Sequence, residues 1–130
     1  MNKYIVTGIF VALLILAITL PGCSPQAKVY NDPSTNIETS VNGEFIISLE
    51  ANQTTGYKWI ATYDTNVFNI ISEDYKTSSS EQNLVGAGGT QSFTFKALKN
   101  GSHDITMTYH RPWEPSYPQD ELKTFKVTIK

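Results

Sequence analysis

Three short motifs carry most of the groups with which this chain could recognise another molecule. They are Asn-Gln-Thr-Thr-Gly at residues 52–56, Gly-Ala-Gly-Gly at residues 86–89 and Arg-Pro-Trp at residues 111–113. The first motif offers hydroxyl and amide hydrogen-bonding groups, and the second offers a backbone with little side-chain cover. The third holds a Trp, a residue type that often anchors interfaces, in a loop that its prolines stiffen. This chemistry is typical of binding.

Residues that could support catalysis are few. His103 and His110 are the only histidines, and Asp104 beside His103 would point to the opposite face of a strand. The single cysteine, Cys23, follows an export signal, which excludes a Cys-His nucleophile in the rest of the chain. The two histidines and scattered carboxylates do not have the spacing of metal ligands. The sequence therefore predicts no enzyme, metal site or cofactor, and an enzyme is a poorly supported alternative.

The N-terminal segment has the pattern of an export signal. A short basic start precedes an almost wholly apolar run over residues 5–20, followed by Leu-Pro-Gly-Cys. Leu, a variable residue, a small residue and Cys resemble the bacterial lipobox, in which the Cys is lipidated and the chain is cut before it. We therefore predict a signal peptide at residues 1–22 and an exported protein anchored to the cell or outer membrane through Cys23. A retained transmembrane anchor and plain secretion are the alternatives.

Composition limits what the exported part can be. Without a second cysteine it has no disulfides, so packing alone must hold the domain. The full chain has a net charge of −2, and removal of Lys3 with the signal lowers it to −3. A nucleic-acid partner would require a basic face, so this charge argues against one. The segment after Cys23 contains Pro25 and Pro33 and shows no apolar period, so residues 23–36 are predicted to be a flexible tether.

From residue 37 onward apolar residues alternate with period two, as in half-buried strands. Turn signals occur at Asn42-Gly43 and at Lys99-Asn100-Gly101-Ser102. We predict one domain over residues 37–130, an all-β antiparallel sandwich of about seven short strands. The predicted strands are centred on the alternating segments 37–41, 45–49, 57–63, 67–70, 93–97, 105–109 and 125–129.

The spacing of the motifs predicts that they share one end of this sandwich. Each motif lies in a connection between strands, and each comes two connections after the motif before it. Because alternate connections of a sandwich lie at the same end, the three loops can act together. One overlooked strand between the motifs would invalidate this argument.

The three motifs in this order resemble those of the chagasin-type inhibitors of papain-family cysteine proteases. That family carries Asn-Pro-Thr-Thr-Gly, Gly-x-Gly-Gly and Arg-Pro-Trp or Arg-Pro-Phe on an immunoglobulin-like domain. The resemblance covers the chain from about residue 37 to the end. The protease-binding residues that it implies are Asn52, Thr54, Thr55, Gly56, Gly86, Gly88, Gly89, Arg111, Pro112 and Trp113.

The resemblance implies reversible, competitive inhibition by a monomer, with three loops occluding the active-site groove. Thr54 would lie at the catalytic pair, and Trp113 would be the main anchor. Arg111 would either contact an acidic group of the protease or brace its own loop. Gln53 replaces the usual proline and leaves the first loop freer, which weakens inhibition without abolishing it. The alternative function is that of a surface lipoprotein domain for adhesion or protein assembly.

Overall fold

The structure is a computed structural model that describes residues 26–78, 86, 88–115 and 120–130. The predicted signal peptide and Cys23 lie outside the described residues. Within these ranges, all regular structure is β-strand apart from one turn of 3-10 helix at Gln53–Thr55. The eight strands are β1 (Lys28–Tyr30), β2 (Ile37–Thr39), β3 (Glu44–Ala51), β4 (Lys58–Thr62), β5 (Phe68–Thr77), β6 (Gly89–Ala97), β7 (Gly101–His110) and β8 (Glu121–Ile129).

Two four-stranded sheets form a sandwich, which confirms the predicted all-β class. The strand order is β1-β3-β6-β5 in the first sheet and β2-β8-β7-β4 in the second. Each of the seven predicted strands is present, but the count and the wholly antiparallel pairing were wrong. An eighth strand, β1, precedes them and runs parallel to β3, while β2 runs parallel to β8. The two short strands are successive in the chain but lie in different sheets.

Strand β1 also corrects the predicted tether. Residues 28–30 pair with residues 45–47 of β3, and Tyr30 is buried in the core. The segment escaped prediction because three residues are too short for an alternating pattern and nearby prolines suggested a linker. The domain therefore begins several residues before position 37, and residues 28–30 are not a free tether.

Alternation along the long strands produces the core. In β6, for example, every second residue from Gly89 to Ala97 is buried, and the intervening residues are partly exposed. Phe95 is at the centre of the core, with its ring 5.5 Å from that of Phe45 and 6.4 Å from that of Phe93. Such aromatic packing on the inner face of the first sheet removes much apolar surface from water and stabilises the core without disulfides.

One polar side chain, Gln91, bridges the two sheets inside the core. It is fully buried, and its Oε1 accepts a hydrogen bond from the backbone N of Trp59 at 2.8 Å. Its Nε2 donates to the Trp59 carbonyl at 3.0 Å and to the Glu73 carboxylate at 2.7 Å. Trp59 is on β4, an edge strand of the second sheet. The Gln91 side-chain amide thus pairs with the backbone N–H and carbonyl of this edge strand as a neighbouring strand would.

The pairing register defines two ends of the sandwich. Strand β3 runs from Glu44 at one end to Ala51 at the other, and Ala51 leads into the Asn52 loop. Lys28, the first residue of β1, is paired with Phe45, so the chain enters at the end away from that loop. Within the described ranges, no helix has the length and apolar character needed to cross a membrane.

Candidate functional site

The three motif loops lie at one end of the sandwich. They follow β3, β5 and β7, and each begins where its strand reaches the same end of its sheet. The parity argument is therefore confirmed. The overlooked strand β1 does not affect this argument. It precedes all three motifs, so it adds one connection before each of them and leaves the number of connections between them unchanged.

The first loop is a single 3-10 turn with a cap at each end. The Asn52 side chain accepts hydrogen bonds through Oδ1 from the Thr54 backbone N at 3.2 Å and from the Thr54 hydroxyl at 2.6 Å. The Thr55 hydroxyl donates to the Asn52 carbonyl at 2.6 Å. Gly56 ends the turn with φ of +81°, a left-handed conformation that favours glycine. Thr54 and Thr55 are exposed, so the turn is ordered internally and still open to a partner.

Asn52 also connects the first loop with the second. Its Nδ2 donates to the Gly86 carbonyl at 3.4 Å. Its backbone N donates to the hydroxyl of Tyr109, on β7, at 2.8 Å. One residue therefore caps the first loop and joins it to the glycine-rich loop and to the second sheet.

Arg111 connects the third loop with the first. Its Nε donates to the Thr55 carbonyl at 3.1 Å, and its Nη1 forms an ion pair with the Glu114 carboxylate at 3.1 Å. The guanidinium carbon lies 4.8 Å from the centre of the Tyr57 ring, within the range of a cation–π contact. The sequence left two roles open for this side chain. The structure shows it bracing its own loop and the first loop.

Trp113 is exposed, as its charged and proline neighbours indicated. Its side chain is 70% accessible, the highest value among the exposed large apolar residues of the described chain. One side of the indole lies against Gly56, because a Cβ added to Gly56 would come within 2.5 Å of Trp113 Cη2. Glycine at position 56 therefore permits the turn and leaves room for the Trp113 ring.

The glycines of the second motif differ in their surroundings. Gly86 is exposed with φ of +90°, and a Cβ there would meet nothing within 4 Å. A Cβ on Gly88 would have only ordinary contact with the Ala51 carbonyl, at 3.9 Å. Gly89 is buried, and a Cβ on it would lie 2.5 Å from the ring and hydroxyl of Tyr75. Gly86 and Gly88 are thus accessible, whereas Gly89 makes room for a tyrosine. Ala87, the remaining motif residue, lies outside the described residues.

The histidines do not form a catalytic arrangement in the described chain. His103 and Asp104 are adjacent on β7, and His103 packs edge-on against the ring of Phe68. His110 Nδ1 lies 3.5 Å from Asp120 Oδ2 across the base of the third loop, where both side chains are largely buried. A cleft of about 580 Å³ lies beside the loops, and neither histidine is among the described residues that line it. Pro112 is exposed at the turn that carries Trp113.

Sequence reasoning missed several residues that position the loops. Tyr57, Tyr109 and Glu114 contribute a ring, a hydroxyl and a carboxylate to the contacts above, and the Tyr75 hydroxyl donates to the Ala51 carbonyl at the start of the first loop. Glu114 alone gave a sequence signal, since it lies three residues after Arg111. The tyrosines lie on or next to strands whose alternation indicated only packing.

Comparison with known proteins agrees with this arrangement. Amoebiasin-2 of Entamoeba histolytica is 30% identical over 94 residues, which cover 72% of this chain and 76% of that protein. Chagasin of Trypanosoma cruzi is 32% identical over 92 residues, covering 68% of this chain and 82% of that protein. The crystal structure of the cysteine protease inhibitor EhICP2 from Entamoeba histolytica superposes with a TM-score of 0.66. It is 27% identical, with coverage of 82% of this chain and 99% of that one.

A profile of the chagasin family of peptidase inhibitors, I42, matches residues 38–129, which include all three motifs. The matched region runs from β2 to the last residue of β8. Both sheets and all three loops therefore lie within it, apart from the short strand β1. The chain belongs to the chagasin family of peptidase inhibitors and is not an enzyme.

Proposed function

We propose that the chain inhibits papain-like cysteine proteases reversibly and competitively by laying its three loops across the active-site groove. The observation that carries this proposal is the joining of the loops into one surface. Asn52 connects the first loop to Gly86, and Arg111 connects the third loop to Thr55. A preformed surface loses little conformational freedom on binding, which favours tight association. The structural similarity to a cysteine protease inhibitor supports this choice of target class.

Thr54 is the residue proposed to lie over the catalytic Cys and His of the protease. Its hydroxyl proton is donated to Asn52 Oδ1, so the exposed hydroxyl oxygen is presented to a partner as an acceptor. Residues 53–55 form a 3-10 turn. Proteases of this class cleave an extended segment in a long groove, and a capped turn does not offer one. The turn would therefore fill the active site without being hydrolysed.

The other two loops are proposed to hold the groove on either side. Gly86 and Gly88 have no side chain over their backbone, which lets an extended edge of the protease approach closely. Trp113 offers a large apolar surface beside the turn, and truncation of such an anchor typically costs about 2 kcal/mol or more. Pro112 stiffens its loop. Gly56, Gly89 and Arg111 would act mainly by shaping the surface.

We also propose that the protein is exported and held at a membrane by a lipid on Cys23. The signal-like sequence at residues 1–22 motivates this localisation. The course of the chain supports it, since Lys28 enters at the end of the sandwich away from the loops. An anchor at that end would direct the loops away from the membrane. Palmitate labelling of wild-type and Cys23→Ser protein expressed in a bacterium tests the proposal, and equal labelling of both would contradict it.

Titration against papain and cathepsin L with a fluorogenic peptide tests the inhibitory function. We expect substrate-competitive, reversible inhibition that weakens strongly in Thr54→Ala and in Trp113→Ala. Leu98→Ala is the matched control, because Leu98 is an exposed apolar residue that follows β6 at the opposite end of the domain. Lack of inhibition by folded wild-type protein would refute the proposal and favour adhesion or assembly. Equal inhibition by all three variants would refute the assigned loop roles.

A further inference from the structure

Two tyrosine hydroxyls contact the same peptide group at the start of the first loop. The Tyr75 hydroxyl donates to the Ala51 carbonyl at 3.3 Å, and the Asn52 N–H donates to the Tyr109 hydroxyl at 2.8 Å. That carbonyl and that N–H belong to the single peptide group between Ala51 and Asn52. Tyr75 is on β5 of the first sheet, and Tyr109 is on β7 of the second. One peptide group is therefore held from both sheets.

Both tyrosine rings are held in place by their surroundings. The Tyr75 ring passes over Gly89, where a Cβ would be only 2.5 Å from its Cζ and hydroxyl. The Tyr109 ring packs against two others, with its centroid 5.4 Å from that of Tyr57 and 5.0 Å from that of Trp59. Such packing fixes the position of each hydroxyl through contacts of its ring, independently of the conformation of the first loop.

Holding this peptide group sets the direction in which the first loop leaves β3. A peptide group is planar, so fixing its oxygen and its N–H fixes the orientation of the whole unit. Only the φ and ψ angles of Asn52, −124° and 92°, then separate this unit from the 3-10 turn. The Asn52 side chain caps that turn and accepts a hydrogen bond from the hydroxyl of Thr54. The position of Thr54 consequently depends on the two tyrosines.

We propose that Tyr75 and Tyr109 are positioning residues that determine inhibitory affinity through the peptide group between Ala51 and Asn52. The proposal rests on the proposed inhibition of papain-like proteases. In this arrangement the hydroxyls restrict the free loop to the orientation that the protease recognises, so they contribute before any contact with the protease forms. It also gives Gly89 a function, which is to leave space for the Tyr75 ring.

The test uses Tyr75→Phe, Tyr109→Phe and their double variant, which keep the rings and remove the hydroxyls. For the purified full-length protein we expect the Ki for papain to rise about fivefold in each single variant, since each loses one hydrogen bond. The double variant should show less than the product of the two effects, because both hydroxyls hold one peptide group. Tyr63→Phe is the matched control. The Tyr63 ring packs edge-on against Phe95 in the core, and the Ki of this variant should equal that of the wild type.

Amide hydrogen exchange separates positioning from general stability. Loss of the Tyr109 hydroxyl should accelerate exchange of the Asn52 amide at a temperature far below unfolding, while core amides of β6 keep their protection. Adding Gln53→Pro to Tyr109→Phe should restore part of the lost affinity, because proline restricts the same loop. Unchanged Asn52 exchange in Tyr109→Phe would overturn the proposal. If the wild-type protein inhibits papain and the double variant has the same Ki, the role of the two tyrosines is overturned but the proposed function is not. If the wild-type protein does not inhibit papain, the proposed function is overturned as well.

Discussion

Replacing Gly56 by alanine tests whether the first and third loops act as one surface. Gly56 has φ of +81°, and a Cβ there would lie 2.5 Å from Cη2 and 2.9 Å from Cζ2 of Trp113. Those atoms are the far end of an exposed side chain, so the indole can rotate away more readily than the backbone can move. The substitution should therefore strain the turn and displace Trp113 from its place beside it.

The two effects have different sizes and different consequences. A non-glycine residue in the left-handed region costs about 1–2 kcal/mol, which lowers the Tm of a domain of this size by about 5–10 °C. Displacement of an anchoring Trp costs about 2 kcal/mol in binding, or about 30-fold in Ki. Inhibition should thus weaken about 30-fold at temperatures where Gly56→Ala is still fully folded.

The assay compares the Ki for papain at 25 °C with the Tm, using Gly101→Ala as the matched control. Gly101 has φ of +123° at the end of the domain away from the loops, and a Cβ there would lie 2.9 Å from His103 Nε2. Gly101→Ala should lower Tm to a similar extent and leave Ki unchanged. If Gly56→Ala lowers Tm but keeps Ki within about threefold of wild type, contact between the two loops is not needed for inhibition.

Four further variants test other parts of the structure. Gln53→Pro should lower Ki about two- to fivefold, since proline suits the first position of a 3-10 turn and reduces the freedom of the unbound loop; a higher Ki would show that the bound turn excludes proline. Arg111→Lys should raise Ki about tenfold, because lysine cannot hold both hydrogen-bonding partners and stack on a ring; an unchanged Ki would contradict the bracing role. Gln91→Leu should lower the free energy of unfolding by about 2–4 kcal/mol in urea titration, as it leaves backbone groups of β4 unpaired, and a smaller loss than about 1 kcal/mol would contradict the bridge. Hydrogen bonds from the Asn66 backbone and side chain lower the pKa of Asp64 below 3.8 in the folded protein. The stability that the Asp64 carboxylate contributes is therefore complete above that pH and is lost as the pH falls through the folded-state pKa. Asp64→Asn should make the Tm depend less on pH below about pH 4, and an unaltered slope of Tm against pH would exclude this contribution.

Much of the scaffold could be predicted because its strands alternate strongly. Residues 93–97 of β6 and 125–129 of β8 place an apolar residue at every second position, and this pattern alone identifies the inward face. Strand β1 could not be found in this way, since it is three residues long and is fixed by pairing with β3. Gln91 interrupts an otherwise apolar inward face, a signal that a buried polar group needed partners. The identity of those partners depends on the packing of two sheets.

The positions of the loops were predictable, but their mutual contacts were not. Parity placed the motifs at one end without any knowledge of their shape. The contact of Arg111 with the Thr55 carbonyl joins residues 56 positions apart, and that of Asn52 with Gly86 joins residues 34 apart. Such contacts depend on how the loops approach in three dimensions, which no local pattern encodes. The motif order nevertheless indicated the family correctly.

The bracing of the first loop by Arg111 bears on the range of proteases that the protein can inhibit. Arg111 holds the first loop at Thr55 and its own loop at Glu114, so the two loops cannot readily adapt to each new groove. Binding through such loops also does not depend on the side-chain preferences by which individual proteases choose their peptide substrates. Selection should then depend on the width and depth of the groove. We expect papain-like enzymes with different substrate preferences to be inhibited alike, and those with a narrowed or covered groove to escape.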